Sequence, residues 1–212
     1  MAVNDLIQRA DALAPVGGWI NNQPRIEAPK MSERSFLFRS VSLLSKAFGR
    51  NEIPDVLSVY SKNARLFWPW LIFASQLMPY SQLSAVVREK IILRTAWNCR
   101  SRYEWGQHVD IALTVGVTDQ EIVIVTQGPQ AASDVLERAI LSACDEIFRD
   151  KCISNVTWQI LSGHYSEKLL IEITILVGHY EMIAGFLNSA GLRLEAPIEQ
   201  KLQEFYRRVA EF

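Results

Sequence analysis

The sequence predicts an all-α fold, a helical bundle built from nine or so segments. Three observations predict it. Apolar residues recur at helical spacing from about Arg34 to the carboxyl-terminal end, start and stop residues bracket the segments that carry this spacing, and strand-like alternation is scarce.

Each element has a local reason. After a short first helix, residues 14–33 carry Pro15, Gly17, Gly18, Pro24 and Pro29, the only long Pro/Gly-rich segment, and read as an extended arm. The chain therefore divides into residues 1–33, a helix and arm, and residues 34–212, a helical domain. Ser35 to Phe48 is modestly amphipathic. Ile53 to Tyr60 has Pro54 near its first helical position, where a missing N–H costs nothing. Asn63 to Leu77 is apolar and aromatic, with Phe67, Trp68, Trp70 and Phe73, and Pro79 ends it. Ser84 is placed to cap a helix from Ala85 to about Asn98, whose Val86, Val87, Ile91, Ile92 and Thr95 follow helical spacing. Ser101 to Thr114 follows and Gly116 closes it.

Thr118-Asp-Gln-Glu121 is a capping box for a short helix that stops at Gly128-Pro129. Ser133 is expected to cap a helix through Arg149, and Ser154 one from Asn155 to Gly163. Ser166 precedes a long apolar helix to Ala190, and a polar helix is expected from Pro197. The long helix is apolar around most of its circumference, more than one bundle face uses, which predicts association with further copies of the chain.

Composition narrows the function. With 212 residues the chain fits one domain with an extension, at roughly 150 residues per domain. A share of 49% apolar residues with a net charge of −1 excludes intrinsic disorder. The first fifty residues hold seven Lys/Arg against four Asp/Glu, but no basic cluster follows, so no nucleic-acid partner is expected. Cys99, Cys144 and Cys152 form no CxxC pair, which argues against a disulfide framework or a thiolate zinc site. The longest uncharged apolar run, Leu66 to Ala74, is broken by Pro69 and too short to cross a bilayer. Asp5 and Asp11 stand where a signal peptide would need an apolar region. These features predict a cytoplasmic, reducing setting and no membrane partner.

The chain has three histidines, His108, His164 and His179. Glu104 and His108 are four residues apart on one helix, so they share a face, and Ser101 extends that stripe. A carboxylate beside an imidazole is a workable proton-transfer pair, with Glu104 expected to fix the His108 tautomer. Glu89 lies in the preceding helix within Glu89-Lys-Ile-Ile-Leu-Arg94. If the two helices form a hairpin, Glu89 faces the Glu104/His108 stripe; otherwise it pairs with Arg88, Lys90 or Arg94. Tyr103, Trp105 and Trp97 flank this stripe, and Trp68 and Trp70 are candidates to wall it for an apolar substrate. His179 and Glu172 lie seven apart on the long helix, a pocket or subunit-contact candidate, and His164 follows Gly163 in a turn. No His-Glu-x-x-His, Walker loop, dinucleotide fingerprint or Gly-x-Ser-x-Gly elbow occurs, so no metal and no cofactor is expected.

The stretch Leu83-Ser-Ala-Val-Val-Arg-Glu89-Lys-Ile-Ile-Leu-Arg94, followed by Tyr103-Glu-Trp-Gly-Gln-His108 and Gly116-Val-Thr, resembles the carboxymuconolactone decarboxylase family of the alkylhydroperoxidase D-like superfamily. The long helix with Glu172, His179 and Asn188 resembles the family's last helix, so the likeness runs from about Ile53 to Pro197. It implies an alkylhydroperoxidase D-like helical fold and closed rings of subunits, trimers or hexamers. The peroxidase branch places Glu, then Cys-x-x-Cys twelve positions on, then His four later. Here Glu89 and His108 hold the two ends, while Ser101 and Glu104 stand at the cysteine positions. Disulfide peroxidase chemistry lacks its thiols, and Cys99 is out of register. The decarboxylase-like branch has Glu-x-x-x-His here. The resemblance then implies cofactor-free lyase or isomerase chemistry on a small-molecule substrate, a cyclic oxo-acid or lactone. In that reading His108 is the acid/base, Glu104 its orienting partner and Glu89 a second proton carrier. The rival is a non-enzymatic ligand-binding or assembly protein, in which the three residues form a salt-bridged knot with no cavity beside them.

Overall fold

Helix boundaries in the computed structural model follow the local capping chemistry. The structure describes residues 13–29 and 54–210, and among these it holds nine α-helices and no strand. They are α1 (Asp55–Tyr60), α2 (Ala64–Leu77), α3 (Ala85–Asn98), α4 (Arg102–Thr114), α5 (Asp119–Gln127), α6 (Val135–Asp150), α7 (Asn155–Ser162), α8 (Glu167–Ala190) and α9 (Ala196–Val209). The expected first helix and the amphipathic segment Ser35–Phe48 lie outside the described residues.

Ser84 Oγ accepts the Val87 amide at 3.3 Å, and Ser154 Oγ accepts that of Thr157 at 3.3 Å. The capping box is complete: Thr118 Oγ1 accepts from Glu121 N at 3.2 Å and Glu121 Oε2 accepts from Thr118 N at 2.9 Å. One cap differs from expectation. Asp134, not Ser133, caps α6, its Oδ1 accepting the Glu137 amide at 2.8 Å. Both residue types cap well, and the helix starts one position later than the first candidate.

Helix α3 is the centre of the molecule, packed against α4, α6 and α8. Every residue from Arg88 to Ala96 is buried, four charged ones included. Such burial is tolerable because each charge is paired. Lys90 Nζ donates to Glu121 and Glu137 at 2.7 and 2.6 Å. Arg94 grips Asp145 with two bonds, at 2.6 and 2.8 Å, and caps the Val125 carbonyl at 2.8 Å.

Two apolar cores flank α4. One joins α3, α6 and α8 through Ile91, Ile92, Ala143, Leu176 and Val177. The other joins α3, α4, α5 and α9 through Leu93, Trp105, Val109, Ile122 and Phe205. The polar-looking α9 thus buries Leu202, Phe205, Tyr206 and Val209 along one stripe. By length and composition α8 could cross a membrane, yet ten of its residues pack inside the bundle.

The arm folds back on its own chain. Ile20 N donates to the Arg100 carbonyl at 3.0 Å, and Arg25 N to that of Ala190 at 2.8 Å. The Arg100 guanidinium bonds the carbonyls of Gly17 and Gly18. Trp19 is buried between Trp97 and Trp105, with ring centroids 5.4 and 5.9 Å away. Residues 13–29 therefore lie against the α3–α4 turn and the end of α8.

Candidate active site

Two helices joined by a tight turn bring the candidate residues together. Cys99 is in αR, Arg100 is left-handed at φ 54°, and Ser101 is extended as the α4 N-cap. Ser101 N donates back to Ala96 O at 2.9 Å, so the chain reverses and α4 lies along α3. Asn188 of α8 fixes the turn by donating from Nδ2 to the Cys99 carbonyl at 2.9 Å.

The reversal sets Glu89 against His108. His108 Nδ1 lies 2.7 Å from Glu89 Oε2, and Arg88 Nε donates to Glu89 Oε1 at 3.0 Å. Glu89 is fully buried, and burial alone would raise its carboxyl, but His108 and Arg88 hold it below the usual range. An ionised carboxylate only accepts, so Nδ1 is the donor and Nε2 is left for chemistry. Both sequence alternatives for Glu89 hold at once: it faces His108 and pairs with Arg88.

Glu104 departs from expectation. It shares the His108 face but does not orient the ring; Glu89 does. Glu104 is 2% exposed and neither oxygen has a hydrogen-bond partner. Burial pushes its carboxyl well above the usual range, so it is carried as the neutral acid. One imidazole offers one Nδ1, and the charged Glu89 outcompetes a discharged neighbour. Ser101 is also fully buried, with its Oγ unbonded.

A chain of ring contacts runs from Tyr60 to His108. Tyr60, whose hydroxyl is pushed up by burial, meets Trp70 edge to face at 4.7 Å. Trp70 stacks on His179 at 6.1 Å, His179 meets Tyr180 at 5.5 Å, and Tyr180 meets His108 at 5.1 Å. Burial lowers His179 to about 4, which keeps its ring neutral. Sequence reading missed Tyr60 and Tyr180. Both are aromatic residues at ordinary helical spacing, and only the tertiary contacts single them out.

Other candidates serve the fold. Trp105 belongs to the second core, its Nε1 donating to Tyr206 Oη at 3.1 Å. It is therefore not a wall of the His108 side. Tyr103 Oη donates to Glu195 at 2.8 Å and accepts from Val56 N at 3.2 Å. Trp68 is half-buried against Phe67 at 5.0 Å. Glu172 holds the loop before α3 through Ser81 and the Gln82 amide, and His164 is exposed. Burial pushes the Cys99 thiol up to about 12, which opposes thiolate chemistry there.

Two cavities open elsewhere. One of about 340 Å³ lies between the arm and the ends of α4 and α8, beside Trp19, Asn22, Arg102, Tyr103 and Leu192. The other, about 270 Å³, is lined by Val87, Lys90, Asp134 and Tyr165 among others. Neither is lined by Glu89, Glu104 or His108. Among the described residues, no group of three or more His, Cys, Asp or Glu side chains is arranged to hold a metal ion.

Comparison with known proteins bears on the fold. Residues 64–143, α2 to the middle of α6, match the carboxymuconolactone decarboxylase family, a narrower span than the motifs suggested. No curated protein matches the chain. A peroxidase-related protein from Ralstonia eutropha JMP134, with an alkylhydroperoxidase AhpD core, superposes with a TM-score of 0.74 at 15% identity, covering 87% of this chain and 97% of that one. A peroxidase-related protein from Silicibacter sp. TM1040 gives 0.71 at 16% identity, over 85% and 98%. A cysteine-to-alanine variant of the debrominase Bmp8, in complex with 2,3,4-tribromopyrrole, gives 0.67 at 17% identity, over 87% and 99%. At these identities the likeness shows the fold. The chain thus carries a segment that matches the carboxymuconolactone decarboxylase family, set in an all-α, alkylhydroperoxidase D-like fold.

Proposed function

We propose that this chain is a cofactor-independent acid–base enzyme of the lyase or isomerase type, acting on a cyclic oxo-acid or lactone. One observation carries the reading: two buried carboxyls beside one imidazole are driven in opposite directions, Glu89 held ionised and Glu104 held neutral. Environments that separate two proton affinities in this way assign acid and base. His108 Nε2 takes the proton from a carbon next to the substrate carbonyl, and Glu89 balances the imidazolium that forms. Glu104 donates a hydrogen bond to the enolate oxygen. In an isomerisation the proton returns from Nε2 to another carbon. In a decarboxylation the loss of carbon dioxide itself leaves the electron pair of the enolate, with no prior proton abstraction, and protonated His108 delivers the proton that replaces it. Thiol peroxidase chemistry is disfavoured by Ser101 and Glu104 at the cysteine positions and by the raised Cys99.

The test is deuterium exchange followed by NMR over a panel of cyclic oxo-acids and lactones. Exchange at the carbon next to the carbonyl is expected with the native chain, and a loss of about 100-fold or more with His108→Gln. Exchange undiminished by that substitution overturns the reading. A second reading, a ligand-binding or assembly protein without turnover, is favoured by the placement of both cavities away from the three residues. It predicts no exchange with any member of the panel. Under either reading we propose a homo-oligomer, a trimer or hexamer, assembled in part on the outer face of α8.

A further inference from the structure

Between two anchor points the arm walls a cavity. Ile20 N bonds the Arg100 carbonyl at 3.0 Å and Arg25 N bonds that of Ala190 at 2.8 Å, so the arm runs from the α3–α4 turn to the end of α8. Trp19 to Asn22 of this arm form one wall of the cavity of about 340 Å³, and residues at the ends of α4 and α8 and the start of α9 form the rest. That volume falls in the range of small-molecule sites. The arm wall is fixed from both sides: Trp19 is buried against Trp97 and Trp105, and Asn22 Nδ2 donates to the Asn188 carbonyl at 2.8 Å.

The lining restricts the occupant. Leu187, Leu192 and Leu194, with the rings of Trp19 and Tyr103, offer apolar and aromatic surface that suits a flat ring. Among the described residues the charged lining side chains are Arg102, Arg193 and Glu199. Arg102 and Glu199 neutralise each other through two bonds at 2.7 and 2.8 Å. Arg193 bonds the neutral Gln23 Oε1 at 3.3 Å and meets no carboxylate among the described residues. Two further arginines at this end also hold neutral oxygens: Arg25 those of Ser189 and Asn22, and Arg100 those of Gly17 and Gly18. Glu195 is not part of the lining, and its oxygens accept from the Asp55 amide, Tyr103 Oη and Gln107 Nε2. The charge left over in the lining is therefore positive, which favours an anion at the Arg193 side.

We infer that the cavity beside the arm binds a flat aromatic monocarboxylate, its ring against Trp19, Tyr103 and the three leucines and its carboxylate toward Arg193. Glu89, Glu104 and His108 line no part of this cavity, so the site is separate from the one to which the acid–base reading applies. The test is isothermal titration calorimetry of the full chain with indole-3-acetate and indole-3-acetamide, which share a shape and differ by one charge. Titrations run near neutral pH at about 50 mM salt, where screening is modest.

Indole-3-acetate is expected to bind at least about threefold more tightly than the amide, because the arginine is exposed and its charge partly screened. Arg193→Gln is expected to erase that preference while keeping the amide within about twofold, and Arg193→Lys to retain it. Leu192→Trp, which fills the cavity from its wall, is expected to weaken both probes about tenfold or more. His108→Gln is expected to bind both as the native chain does. Binding of neither probe, equal binding of the two, a preference that survives Arg193→Gln, native affinity in Leu192→Trp, or binding lost in His108→Gln overturns the inference. The two proposals fail separately. Binding without His108-dependent exchange removes the acid–base reading alone, and exchange without binding removes this one alone.

Discussion

Glu89 and Glu104 have the same side chain and opposite environments, and stability measured against pH separates them. Glu104 in the folded chain holds its proton above the ordinary value of 4.5. Its contribution to stability is therefore complete below that value and erodes as pH rises toward the folded value. Glutamine does not titrate. Glu104→Gln is thus expected to gain stability over the native chain from pH 5 to pH 8, by up to about 1.4 kcal/mol per pH unit. Glu89 is held below 4.5, so its contribution is present above that value and is lost as pH falls. Glu89→Gln is expected to cost about 3 kcal/mol at pH 7, because buried Arg88 loses its partner, and less below pH 4. Urea denaturation of both variants from pH 4 to pH 8 checks the signs. An advantage of Glu104→Gln that stays flat with pH would mean that Glu104 is not held protonated.

The same residues show how far a sequence carries at this scale. Spacing placed Glu104, His108 and Ser101 on one face, and the hairpin placed Glu89 opposite, because both follow from helix geometry. Spacing does not say which carboxylate wins the imidazole. That depends on burial and on Arg88, which come from the tertiary fold.

At the scale of elements, capping chemistry was legible because it is local: Ser84, Thr118 with Glu121, and Ser154 act within one turn of themselves. Where two cap residues adjoin, as Ser133 and Asp134 do, local chemistry gives two starts and packing chooses. The resting place of the arm was not legible. It is set by backbone bonds to residues more than eighty positions away and by Trp19 entering a site that Trp97 and Trp105 form together. The seam is tight at Gly191, the left-handed C-cap of α8 at φ 69°. A Cβ there would collide with the Gln23 carbonyl oxygen. Gly191→Ala therefore meets both the left-handed backbone cost and the arm. The expected result is a loss of about 1–3 kcal/mol and faster amide exchange at Ile20 and Arg25. Exchange that stays at native rates at both amides would show that the arm is not seated on Gly191.

For the whole molecule, the sequence showed that α8 has more apolar surface than one bundle face consumes, and the structure shows where the surplus lies. Leu176, Val177, Ile183 and Leu187 are buried, while Ile171 is 64% exposed, Ile175 43% and Met182 53%. The exposed three stand at spacings of four and seven, with Gly178 between them, and so form one outward stripe. Ile72 and Phe73 of α2 are also exposed, and Phe73 contacts His179 of α8 at 5.4 Å, which places apolar surface from two helices side by side. Apolar surface of this extent favours association with further copies. A charge at its middle would have to be desolvated in any contact. Met182→Glu is therefore expected to shift the chain toward monomer in light scattering coupled to size-exclusion chromatography. Its helical circular dichroism should stay native, because residue 182 lies outside the core. Because His179 lies three residues before Met182 and stacks on Trp70, the dissociated form should also show altered tryptophan emission. Unchanged mass for Met182→Glu would place the subunit contact on a different face.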